Sequence, residues 1–102
     1  MSTLHLMDGG QASISTEILG RYAADAAREI AGVREVPKRR GVKVVESDGN
    51  VRVELHLAVD WGTSIPQLGR DVQQRVREYL LRMADVEPAS VDVVVEEIGP
   101  RP

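Results

Sequence analysis

Apolar and polar positions alternate with two different periods along this chain, and the switches between them mark out its elements. From Thr16 to about Ala31 the apolar residues recur at three and four: Leu19, Tyr22, Ala23, Ala26, Ala27 and Ile30 form one stripe, which predicts an amphipathic helix. Ser15 is placed to cap it, Glu17 sits favourably in its first turn, and Gly32 suits the left-handed position beyond its end. The same period returns from Ile65 to Ala84, where Leu68, Val72, Val76, Tyr79, Leu80 and Met83 continue the stripe begun by Ile65. Ser64 and Gln67 have the spacing of a capping box, and Pro66 falls where the first turn loses no donor. Asp71 with Arg75, and Glu78 with Arg82, are spaced for ion pairs along the helix.

Between the helical segments the period drops to two. Gly41 to Glu46 and Val51 to Asp60 read as strands joined by Ser47-Asp48-Gly49-Asn50, and Asp-Gly between alternating segments signals a hairpin. Val51, Val53, Leu55, Leu57 and Val59 alternate with Arg52, Glu54, His56, Ala58 and Asp60, so one face is expected to be buried and the other wet. Ser90 to Ile98 reads as a last strand, with short extended pieces at Ala12 to Ile14 and Val33 to Val36. These elements predict an α+β fold: a two-layer sandwich with both helices on one face of a small mixed sheet, and the last two long strands parallel through the helical crossover. A ferredoxin-like topology is the alternative. Residues 1–11 show no periodicity and read as a flexible leader, 12–98 as a single domain, and 99–102 as a short tail.

Composition narrows the chemistry. With 102 residues, no Phe and only Trp61, Tyr22 and Tyr79 as aromatics, the core must be aliphatic and modest, a situation that often goes with oligomerisation. The absence of Cys excludes a disulfide framework, a thiolate metal site and a cysteine nucleophile. No basic segment followed by an apolar stretch opens the chain, and no apolar run reaches a membrane span, so the expected location is the cytoplasm. A net charge of −3 argues against a dedicated nucleic-acid-binding domain. No nucleophile elbow, phosphate loop or glycine-rich nucleotide fingerprint is present, and the serines and carboxylates stand at caps, turns and polar helix faces. The expectation is a protein that is not an enzyme and uses no cofactor or metal.

Four features are weighed as sites. His5 and His56 have no metal-ligand spacing; a surface role for His56 on the wet face of its strand is favoured over pH sensing. Arg34, Lys38, Arg39, Arg40 and Lys43 surround one loop, where a solvated loop is favoured over a patch for an anionic partner such as lipid headgroups, an acidic protein or nucleic acid. Trp61 is either a lid on the core or an exposed interface anchor. Val45, Ala58, Val94 and Ile98 fall on the nominally wet sheet face and, with Trp61, outline a candidate interface.

In order, the chain carries Ile14-Ser15-Thr16-Glu17-Ile18-Leu19, then Gly32-Val33, the basic loop, Gly41-Val42-Lys43-Val44, the long alternating strand ending in Trp61-Gly62, Ser64-Ile65-Pro66, Val72-Gln73 and a valine-rich last strand. This ordered set resembles the alkaline shock protein family of bacterial cell-envelope stress response proteins. It departs from the common pattern in ending just after the core domain, without a long charged tail, and in having Trp where Tyr is frequent. The resemblance implies a non-enzymatic structural or adaptor protein of envelope homeostasis or general stress. It implies a cytoplasmic protein that associates with itself and is held at the membrane by a membrane-anchored partner or an anionic surface. The alternative is a binding module that recognises nucleic acid or another anionic ligand through residues 34–43.

Overall fold

The computed structural model describes the backbone of residues 4–7 and 11–13 and all atoms of residues 14–101. Element order is β1 (Leu4–Met7), β2 (Gln11–Ile14), α1 (Thr16–Arg28), β3 (Val33–Glu35), β4 (Val42–Ser47), β5 (Asn50–Val59), α2 (Ile65–Ala84) and β6 (Ser90–Ile98). β1 and β2 form a separate antiparallel pair, Leu4 opposite Ile14. Leu4–Met7 is thus a strand where the sequence suggests only leader; four residues are too few to show a period. Because β2 pairs with β1 and not with the main sheet, the ferredoxin-like alternative does not form.

The main sheet is built around β5. Its hairpin with β4 turns through Asp48 and Gly49, both at positive φ (52° and 80°), the turn type that matches strand twist. β3 pairs with the far end of the same edge of β5, so β3 and β4 are two pieces of one interrupted edge strand. β6 lies along the other edge, parallel to β5 as the crossover through α2 requires. The sheet is therefore mixed, and both helices cover one face of it: a two-layer α+β sandwich.

The core follows the alternation. Val51, Val53, Leu55, Leu57 and Val59 point inward and join Leu68, Val72, Val76 and Leu80 of α2 in one buried cluster. Ala23, Ala26 and Ala27 bring α1 close to the sheet and to α2, and the rings of Tyr22 and Tyr79 meet at 5.8 Å between the helices. The Ser15 hydroxyl caps α1 by accepting from the Ile18 N–H at 3.3 Å. The helix stops at Arg28, three residues before the expected Ala31, and Gly32 then takes φ 97°. There a Cβ would run into the Thr63 side chain, so glycine is needed on both counts.

Three local expectations for α2 are corrected. Ser64 makes no side-chain cap; the Gln67 amide instead donates to Asp71 (2.8 Å) and accepts from Arg70 (3.0 Å), which dismantles the capping box. Arg75 turns away from Asp71 to pair with Glu29, the residue that caps the end of α1, at 2.7 Å, and the Arg82 guanidinium lies over the Tyr79 ring while Glu78 accepts from Gln74. Met83 is exposed, because the stripe leaves the sheet at the helix's last turn.

Leu55 is fully buried at the centre of the cluster, so Leu55→Ala is expected to lower unfolding free energy by about 2–5 kcal/mol, the cost of a cavity that the surrounding core cannot collapse. Urea denaturation checks this; a loss below about half a kcal/mol would place Leu55 outside the core.

Candidate functional site

The interruption between β3 and β4 sets the geometry of the basic residues. The Gly32 carbonyl accepts from Asp60 N–H at 2.9 Å and the Gly41 carbonyl from His56 N–H at 2.8 Å, pinning both stems of the excursion to β5. Val36 anchors it in the core, 3% exposed. Arg40 is at φ 61°, an uncommon conformation for a side chain of this size, and a Cβ built on Gly41 would overlap the Pro37 carbonyl oxygen. The tight loop that results carries Lys38, Arg39 and Arg40 outward, exposed and without ion-pair partners among the described residues.

The other two cations of the sequence cluster do not join these three. Lys43 lies on the uncovered sheet face beside Glu54. Arg34 reaches the opposite corner, where a Cβ on Gly99 would lie 3.4 Å from its Nη1. Trp61 is at that corner too, 51% exposed with the Arg101 guanidinium 5.5 Å above its ring, so it is no lid on the core.

The sheet face opposite the helices is more organised than sequence suggests. Its centre is His56, half-buried between two carboxylates: Nε2 stands 2.8 Å from Glu54 Oε2 on the same strand, and Nδ1 2.6 Å from Glu96 Oε1 on β6. Both ring nitrogens can donate at once only when the imidazole is protonated. The hydrogen bond to Glu54, then that to Glu96, holds the His56 pKa above the ordinary histidine value against the opposing effect of burial. Reciprocally, the bond from His56, with a smaller contribution from Lys43, holds Glu54 below the usual carboxylate range. Glu54 and His56 sharing a face is legible from their spacing of two; Glu96 is not, since it enters only through the β5–β6 register.

Of the apolar residues expected on this face, Val45 (43% exposed) and Val94 (40%) are there. Two are corrected. Ala58 is 4% exposed and offers no surface. A register shift after Leu57 sets Ile98 opposite Val59, whose side chain is in the core, so Ile98 leaves the open face although it is exposed at the sheet's end. Among the described residues no group of three His, Asp or Glu side chains is arranged to hold a metal ion, and no helix is long and apolar enough to cross a membrane.

A family model covering residues 34–100, from β3 and the basic loop through β5 and α2 to the end of β6, matches more than half of the chain. The protein belongs to the alkaline shock protein 23 family. That family is described as having a cell envelope-related function. YqhY of Bacillus subtilis (strain 168) is similar to this member, 27% identical over 99 residues that take in 82% of this chain and 73% of YqhY. In fold, the chain is similar to solved structures of MamM-CTD. A copper form superposes with a TM-score of 0.59 at 16% identity, over 84% of this chain and 100% of the other. A cadmium form gives 0.56 at 18%, over 80% and 95%. At these identities the likeness concerns the architecture alone.

The clamp makes stability depend on pH with a definite sign. Because the folded pKa of His56 is raised, its contribution is complete below the unfolded value of about 6.5 and is lost as pH rises through the folded value. Because that of Glu54 is depressed, its contribution is present above the unfolded carboxylate value and is lost as pH falls through the folded one. His56→Gln, which keeps a polar side chain but cannot be charged, is expected to flatten the decline in stability on the alkaline side of neutrality. Denaturation midpoints from pH about 6 to 9 check this, and equal slopes for both proteins would mean that the clamp is not felt by folding.

Proposed function

We propose that this family member is a structural or adaptor protein of bacterial envelope homeostasis or general stress response, acting by protein–protein association rather than by catalysis, with a second copy of itself among its partners. The observation that carries the reading is the four-stranded sheet with helices on one side only. Its other side bears an ordered array of charges flanked by exposed Val45 and Val94, and exposed apolar residues set in a polar surround mark contact surfaces. The envelope setting comes from the family's description, and the small aliphatic core favours an assembly that covers more surface. On this reading the protein works in the cytoplasm and reaches the membrane through an anchored partner.

Sedimentation velocity over a wide concentration range tests it. Mass above the monomer is expected at high micromolar concentration, and a strict monomer throughout would sink self-association. Trp61→Ala, measured in parallel, reports whether the exposed ring at the sheet's corner contributes.

One observation favours a second reading, a binding module for nucleic acid or another anionic ligand through residues 34–43: three cations held outward on a strained loop, without ion-pair partners among the described residues. Each basic residue near an anionic bilayer adds about 1 kcal/mol, so neutralising Lys38, Arg39 and Arg40 together should remove roughly 3 kcal/mol of attraction and leave the fold intact. Co-sedimentation with phosphatidylserine vesicles at low and high salt measures it; unchanged binding by the triple variant would rule out the loop as the contact.

A further inference from the structure

β4 pairs with β5 on one side, and among the described residues no strand lies along its other edge. The register fixes which of its backbone groups are left over. Val42 stands opposite Leu55 and Val44 opposite Val53, and the His56 N–H donates to the Gly41 carbonyl at 2.8 Å. In an antiparallel ladder the bonded pairs then fall at Gly41, Lys43 and Val45, so the N–H and C=O groups of Val42 and Val44 point away from the sheet. Natural edges are blunted by Pro, by a bulge or by an inward charge. Val42–Val45 has none of these: its one charged residue, Lys43, stands on the open face beside Glu54.

A cleft of about 730 Å³ borders this edge, lined by Val42 and Val44 on one side and by Gly20 and Ala24 of α1 on the other. A Cβ built on Gly20 would lie 3.5 Å from Val42 Cγ1 and 3.7 Å from Val44 Cγ2. Glycine puts no side chain there, so both half-buried valines keep part of their surface open to the cleft.

Charge gives the edge a direction. Val36, Pro37 and Lys38 also line the cleft, next to the start of β4. Lys38, Arg39 and Arg40 are exposed there, and no acidic residue stands between Val36 and Gly41. Glu35 precedes them on β3, beyond the buried Val36, and leaves the excursion a surplus of positive charge. β4 ends instead in Glu46 and Ser47, followed by the turn at Asp48. The other charges of the cleft are committed: Asp25 pairs with Arg28 at 3.1 Å, and Glu17 and Arg21 are each engaged. The edge is therefore basic where β4 starts and acidic where it finishes.

An extended peptide laid antiparallel to β4 would take up the free groups of Val42 and Val44. Its alternate side chains would enter the cleft against Gly20 and Ala24, and its carboxyl-terminal part would arrive at Lys38–Arg40. We propose that the β4 edge is a strand-addition groove for an extended acidic peptide of a partner protein: two apolar side chains one residue apart, followed by carboxylates. This rests on the adaptor reading above, and adds where the partner is held and what chemistry it carries.

Fluorescence anisotropy with a labelled peptide, acetyl-Val-Thr-Val-Thr-Glu-Glu, tests it. The peptide is expected to bind and to slow amide exchange at Val42 and Val44. Lys43 and Val45, already bonded to β5, should exchange as before. Moving both glutamates to the amino end of the peptide should weaken binding about tenfold, and so should Lys38→Glu combined with Arg39→Glu. Val44→Pro removes one outward donor while sparing the ladder to β5, and Gly20→Leu fills the cleft from a helix position that suits Leu. Each should weaken binding by about tenfold. Circular dichroism checks folding, and Gly20→Leu keeps the test decisive if the proline variant does not fold. The groove would be overturned by a wild type that ignores the peptide, by protection that misses Val42 and Val44, or by equal binding of the peptide with its glutamates moved. Binding lost with the loop charges but kept by Gly20→Leu and by a folded Val44→Pro would make the loop a plain anion patch and overturn the groove as well. Sedimentation reads self-association separately, so a chain that associates but ignores the peptide loses the groove and keeps the reading on which it rests.

Discussion

The packing of one strand's inner face against two helices is the contact on which the rest of the molecule depends. Val53, Leu55, Leu57 and Val59 of β5 are buried against the alanine side of α1 and the Leu68–Val72–Val76–Leu80 stripe of α2. With no Phe and no disulfide in the chain, few other contacts can offset the entropy of ordering it. β5 is also the strand to which β3, β4 and β6 all pair. Both edges, the basic excursion and the clamp therefore inherit their positions from it. Alanines on α1 matter for the same reason, since larger side chains there would lift the helix off the sheet.

How much of this is legible in the sequence follows the range of the interactions. α2 and β6 fall where periodicity puts them, because each has a long uninterrupted pattern, and the Asp-Gly turn sits where turn chemistry demands it. What fails is decided by tertiary partners. Arg75 has a partner four residues away in sequence but finds Glu29 at the C-terminal cap of the other helix, and Gln67 bonds forward to Asp71 rather than back to the cap. Parity along β6 holds only up to the register shift beyond Val95, so Ile98 changes sides without any local signal.

Candidate sites show the same division. That the cations between Arg34 and Lys43 are close in sequence is plain; that they point to three different parts of the surface is not, because the β3–β4 break turns the chain out and back between them. His56 reads as a surface residue until β6 delivers Glu96 from 40 positions away. Family membership likewise draws on the whole ordered set of elements from β3 to β6 and on no single motif within it.

The split edge strand has a consequence for how this chain can vary. Its two stems are tied to β5 by separate hydrogen bonds, from Asp60 to Gly32 and from His56 to Gly41, and β3 and β4 each keep their own register. Residues between Pro37 and Gly41 can therefore change in number without sliding either strand, at the small entropic cost of a longer loop. The excursion is a natural graft point: a peptide tag or a foreign recognition loop inserted after Lys38 would be displayed at the sheet's rim while Val36 and Gly41 keep the scaffold in register.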